Sequence, residues 1–213
     1  MRLFTISCVF FAALELSPCQ AASLSVTSNM PIAGSFSLEV DASGGGAAYV
    51  QQNGLALSDF VIAFDADIGS VASQSAVGVP LLSLIDTSAE PRIRYQLRIM
   101  PNSVIFIDGA ETISAQVFAN ELAPGVHAYE LAIDIATGTV DLSIDGMPLL
   151  SVVNDFSPTT QINQLRFGLT ANSAQAGTML LDNFSISVPG QPMPVFFDGF
   201  ESGNTSMWSA TVP

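Results

Sequence analysis

The chain has 213 residues, with 19 Asp and Glu against 5 Lys and Arg, a formal net charge of −14 and no lysine. An acidic surface of that size repels polyanions, which argues against nucleic acid or an anionic membrane as partner and suits Ca²⁺ or plain solubility. The two cysteines, Cys8 and Cys19, and the single histidine, His127, exclude a disulfide framework and a zinc centre with the usual ligands.

In chain order, Arg2 precedes an apolar run over 3–14, broken by Ser17-Pro18 before the small residues Cys19, Ala21 and Ala22. This reads as a secretory signal over 1–21, since a membrane span needs ~20 apolar residues. The alternative is that Leu16-Ser17-Pro18-Cys19 resembles a bacterial lipobox, making Cys19 the anchor of an outer-membrane lipoprotein. Both readings export the protein, and neither leaves a thiol for the fold beyond Cys19.

The remainder is rich in Ser, Thr, Ala, Val and Gly, a strand composition. Strands are expected at 35–41, 59–68, 80–85, 92–100, 104–107 and 112–118, with Asp108-Gly109 as a hairpin turn. Over 92–100, Ile93, Tyr95, Leu97 and Ile99 alternate with Arg92, Arg94, Gln96 and Arg98. Between 126 and 146, Tyr129, Leu131 and Ile133 share one face and Val140, Leu142 and Ile144 another, around a turn at Gly138. Further strands follow at 149–153, 164–170 and 179–188. Short strands at this spacing, with no helical period, mean an all-β antiparallel sandwich or barrel. Three prolines close the domain, so 22–188 is the sandwich, 189–194 a stiff linker and 195–213 a tail. The tail is either a strand docking Phe196, Phe200 and Trp208 on the sandwich or a flexible end. Its Asp198-Gly199-Phe200-Glu201-Ser202-Gly203 resembles segments near the C-termini of secreted gammaproteobacterial proteins, so a sorting signal stands as the other alternative.

Three pieces carry a family resemblance: the hairpin ending in Asp145-Gly146, the strand Leu165-Arg166-Phe167-Gly168-Leu169, and Leu180-Leu181-Asp182-Asn183-Phe184-Ser185-Ile186. Together they resemble the concanavalin A-like lectin and glucanase superfamily, laminin-G-like domains in particular. The resemblance implies a jelly-roll sandwich and, among the functions that fold hosts, a secreted carbohydrate-binding or adhesion module. It also implies that an acid in the last strand helps hold a structural Ca²⁺, which points to Asp182 and Asn183, with Asp65, Asp67 and Asp86 as candidate partners. Asp182 as an ordinary surface acid is the plain alternative.

Enzymes on this fold carry a Glu-x-Asp-x-Glu strand, and none occurs here. Glu130 and Asp134 are four residues apart, ~13 Å along a strand and too far for paired carboxylate chemistry. Glu39/Asp41 and Asp65/Asp67 stand ~7 Å apart on one face, within the inverting range. Catalysis by such a pair, or a ligand-free structural domain, therefore stands beside the binding module. No Gly-x-Ser-x-Gly elbow accompanies His127, which reads as structural, and Gly44-Gly45-Gly46 lacks the Lys of a phosphate loop. Arg92, Arg94, Gln96 and Arg98 share one strand face and could grip sugar hydroxyls or carboxylates of a cell-surface glycan. The plain alternative is pairing with acids across the sheet.

Overall fold

The structure is a computed structural model that describes residues 21–69, 71–73, 78–88, 92–100, 103–108, 113–117, 124–153, 159–171 and 175–213. The signal and Cys19 readings lie outside the described residues. Among the described residues seventeen strands run in chain order: β1 (Ser23–Thr27), β2 (Ser37–Asp41), β3 (Ala48–Leu57), β4 (Asp59–Asp67), β5 (Ala72–Ser73), β6 (Val79–Asp86), β7 (Arg92–Met100), β8 (Ser103–Asp108), β9 (Ile113–Val117), β10 (Val126–Asp134), β11 (Thr139–Ile144), β12 (Met147–Val153), β13 (Ile162–Leu169), β14 (Gln175–Ala176), β15 (Thr178–Ser187), β16 (Phe196–Asp198) and β17 (Ala210–Val212). Among the described residues there is no helix.

Two antiparallel sheets form the sandwich. Sheet A runs β1-β2-β15-β4-β10-β11-β12 with β16 added to β15, sheet B runs β17-β3-β13-β6-β7-β8-β9, and β5 and β14 make a small ribbon. Alternation decides which side chains enter the core. Phe60, Ile62, Phe64 and Ala66 of β4 point in, while Val61, Ala63, Asp65 and Asp67 take the opposite parity. The β10–β11 hairpin has the expected register, Tyr129 facing Ile144, Leu131 facing Leu142 and Ile133 facing Val140. Asp134 closes its first turn by accepting the Ala136 N–H and the Thr137 hydroxyl. Asp145 and Gly146, at φ 53° and 73°, make the two-residue turn into β12, a geometry that requires positive φ at both positions. β6 is buried along its whole length, as its continuous apolar run requires of a central strand.

Between the sheets Phe64 stacks on Tyr129 at 5.1 Å, and Phe167, Phe184, Phe196 and Trp208 continue the aromatic cluster. Tyr95 and Tyr129 belong to this core, as their parity implied.

The segment after the prolines is built into both sheets. Residues 189–194 turn the chain back, Val195 N–H donating to Ile186 O, so that β16 pairs with β15. β17 then pairs with β3 on the opposite sheet, and Phe200 and Trp208 are buried between. Of the two structural readings of the tail, the docked strand is the one observed. Of the two strands that no clear alternation marked, β1 is an edge of sheet A and β3 lies between β17 and β13 in sheet B.

Candidate functional site

Charge is divided between the sheets. The strands of sheet A hold Glu39, Asp41, Asp59, Asp65, Asp67, Glu130, Asp134, Asp141, Asp182 and Asp198 and no arginine; those of sheet B hold Arg92, Arg94, Arg98 and Arg166 with only Asp86 and Asp108. On the outer face of sheet A lies an open groove of about 970 Å³, over β4, β10, β11 and β12. Its floor is small, Ala63, Ala128 and Ala132, and its wall is Pro148 to Ser151 of β12. Asp65, Glu130, Asp141, Ser143, Ser151 and Asn183 supply the polar groups.

Register places the acids. Asp65 is opposite Ala128 and Asp141 opposite Ala132, so both flank Glu130 diagonally on neighbouring strands. With ~4.8 Å between strands and ~3.4 Å per residue, each step of that diagonal is ~8 Å. Glu130 and Asp141 have no hydrogen-bond or ion-pair partner among the described residues. The same row extends across β15 at Ser185 to Phe197, an aromatic ring 56% exposed on β16.

Asn183 enters the groove because β15 has a bulge between Asp182 and Ser185, with Asn183 at φ 50°. Its Nδ2 donates to Asp65 Oδ2 at 2.7 Å. Asp182 beside it is buried and occupied: Oδ2 accepts the Ala33 N–H and the Ser37 hydroxyl, Oδ1 the Asn183 N–H. Glu201 holds the same 28–36 loop through the Ser35 and Phe36 N–H groups. Burial raises the Asp182 carboxyl above the usual range, against those hydrogen bonds and with a smaller push from Glu201.

The calcium expectation does not fit this arrangement. Asp182 spends its oxygens on protein donors, Asp67 accepts Gly69 N–H in its own turn, and Asn183 turns its amino group to Asp65. A calcium shell needs six or more converging oxygens, and among the described residues no group of three potential acidic, His or Cys ligands gathers. Of the two carboxylate pairs, only Asp65 lines the groove; the Ser43 hydroxyl first, and then the Ser43 N–H, hold the Asp41 carboxyl below the usual range.

Two members of the arginine stripe, Gln96 and Arg98, are engaged within sheet B. Gln96 is 3% exposed, donating to Ser83 Oγ at 2.8 Å while its Oε1 accepts Arg98 Nε. Arg98 also donates to Gly78 O. Its cross-strand partners are hydroxyls and carbonyls of sheet B, which explains why a polar side chain at this position is buried. The pairing of β7 with β6 skips Arg94 between Tyr95 and Ile93, and the side chains of Arg92 and Arg94 lie outside the described residues. His127 is structural: Nδ1 lies 2.7 Å from Asp145 Oδ2, a bond that lowers the Asp145 carboxyl and ties β10 to the β11–β12 turn.

The groove acids carry no sequence signal as a set. Spacing along its own strand relates Glu130 to Asp134, whereas its neighbours are Asp65 and Asp141 on the strands to either side. Only the register of three strands brings them together.

Comparison with known proteins bears on the fold. No family model matches the chain, and no curated protein matches it. Among solved structures it is similar to a cellulose-induced protein, Cip1, at 17% identity and TM-score 0.57, covering 79% of this chain and 86% of that one. It is also similar to a protein of unknown function with a galectin-like fold from Bacillus subtilis, at 13% identity and TM-score 0.52, covering 78% and 88%. The binding domain of Paraclostridial Mosquitocidal Protein 1 matches at 15% identity and TM-score 0.51, with 78% of this chain on 42% of that one. At these identities the likeness is one of fold: the chain is an antiparallel β-sandwich of the jelly-roll, concanavalin A-like kind.

Proposed function

We propose that the protein is an exported, non-catalytic carbohydrate-binding module, laminin-G-like in its hairpin and last strand, that takes a neutral glycan in the sheet A groove. The observation that carries this reading is the pairing of a small alanine floor with two uncommitted carboxylates, Glu130 and Asp141. Sugar hydroxyls donate well to carboxylates, and alanines let a ring approach the sheet closely. Phe197, exposed at the end of the same row, offers an apolar face for stacking. Likeness in fold to a cellulose-induced protein is consistent with such a ligand.

The test is titration with neutral oligosaccharides chosen from a glycan array, with and without a chelator. Glu130→Ala with Asp141→Ala is expected to weaken binding at least tenfold, and chelation to leave it unchanged. Undiminished binding by the double variant would remove the groove from consideration.

A second reading is favoured by one spacing. The ~8 Å diagonal of Glu130 to either neighbour falls in the range of inverting glycosidases. Release of reducing sugar that disappears in Glu130→Gln while binding persists would establish that reading over the first.

A further inference from the structure

We infer that the outer face of sheet B carries a second site, separate from the groove, in which Arg166 grips the carboxylate of an acidic saccharide end-on. Arg166 is the one arginine of β13, half-buried, facing Gln51 of β3 on one side and Ser83 of β6 on the other. Its Nε donates to Gln51 Oε1 at 3.0 Å, and its guanidinium carbon lies 4.9 Å from the centre of the Tyr49 ring. Gln51 is itself fixed by donating to Asn53 Oδ1, which also accepts from Gln164. The Tyr49 ring reaches the guanidinium because Gly168 stands opposite it: a Cβ there would meet Ala48 O at 2.7 Å and Tyr49 Cα at 3.0 Å. No side chain separates the ring from Arg166.

The guanidinium is thus held at its inner edge and on one face, and its two terminal amino groups have no hydrogen-bond or carboxylate partner among the described residues. That is unusual in a chain where acids outnumber arginines 19 to 5. The sheet segregation keeps the acids away. A planar fork already immobilised, with its outer nitrogens free, is complementary to a carboxylate, and the cost of ordering it is met before a ligand arrives. The amides around it offer contacts to the rest of a sugar. The net charge of −14 sets the class further, since its field disfavours densely charged polymers and tolerates a saccharide with an isolated carboxylate.

The test is calorimetric titration of the protein with a disaccharide ending in glucuronic acid, with its methyl ester, and with the 6-sulfate of cellobiose. The acid is expected to bind at least tenfold more tightly than the ester, and to lose tenfold or more in Arg166→Gln. Arg166→Lys, which keeps the charge but not the fork, should fall between. Glu130→Gln should leave acid binding unchanged, so failure of the groove reading and failure of this one are distinguishable. Equal binding of acid and ester, binding unaltered in Arg166→Gln, tighter binding of the sulfate, or no binding of the acid would each overturn the proposal. The ester comparison needs no variant and decides the matter even if Arg166→Gln folds poorly.

Discussion

Asp198 shows how a single buried carboxylate serves this fold. Its Oδ2 accepts Trp208 Nε1–H at 2.8 Å and its Oδ1 the Phe200 N–H at 2.7 Å, joining the two ends of the C-terminal segment. Burial raises its carboxyl above the usual range despite those bonds. Asp198→Asn keeps the shape but turns an amino group toward one of two donors, and should cost about 1–3 kcal/mol in chemical denaturation. The pH dependence follows from the same shift. A group whose folded pKa is raised contributes stability that is present below its unfolded value and lost as pH rises through the folded one. Asp182 and Asp198 both act in this sense. Asp41, Asp134 and Asp145 are held low, chiefly by Ser43, Thr137 and His127, so their contribution is lost only as pH falls below the ordinary 3.8. The melting temperature should therefore rise as the solution is acidified from neutral and fall again below about pH 3.8, and Asp198→Asn should flatten the neutral limb. At Tyr129 the hydroxyl is buried with no hydrogen-bond partner. Tyr129→Phe is expected to be neutral or to stabilise by about 1 kcal/mol in the same assay, since an unsatisfied group is removed from the core.

Elements differ in how openly the sequence announces them. β7 and β11 alternate apolar and polar residues, β4 and β10 set large apolar side chains at every second position, and each stands within a residue or two of its expected place. β3 escaped because Gln51, Gln52 and Asn53 occupy both parities of the strand, so no face reads as apolar. Those amides form the ladder that orients Arg166, 115 residues away from Gln51; no local pattern could have connected them. Gln96 misled in the opposite direction. A polar residue on an arginine face reads as exposed, and only Ser83 and Thr170 from other strands, supplying hydrogen-bond partners, make its burial tolerable. Gly34 ties the 28–36 loop to the C-terminal segment: it has φ 59°, and a Cβ there would overlap the Glu201 carboxylate. Gly34→Ala should loosen that loop and lower stability by about 1–3 kcal/mol, with faster amide exchange at Ser35 and Phe36 as the specific sign.

For the molecule as a whole, the ten acids on the strands of sheet A repel one another with no arginine on that sheet to offset them. Salt should therefore stabilise the fold, raising the melting temperature between 0.05 and 0.5 M NaCl by screening that face. A fall over the same range would mean that attraction between the sheets outweighs repulsion within one. The composition told of the acidity but not of its segregation, because neither the strand order nor the faces can be read along the chain.

β15 sits at the centre of sheet A, yet β16 supplies one of its neighbours, while β17 is the outermost strand of sheet B. During synthesis, then, sheet A lacks β16 until residue 198 has been made and sheet B lacks β17 until residue 212. Before residue 208 is made, Phe167 and Phe184 lack the indole of Trp208 that packs on them. Contacts of such sequence separation form slowly and late. The last two strands thus close each sheet in turn over an aromatic core that the earlier strands leave incomplete.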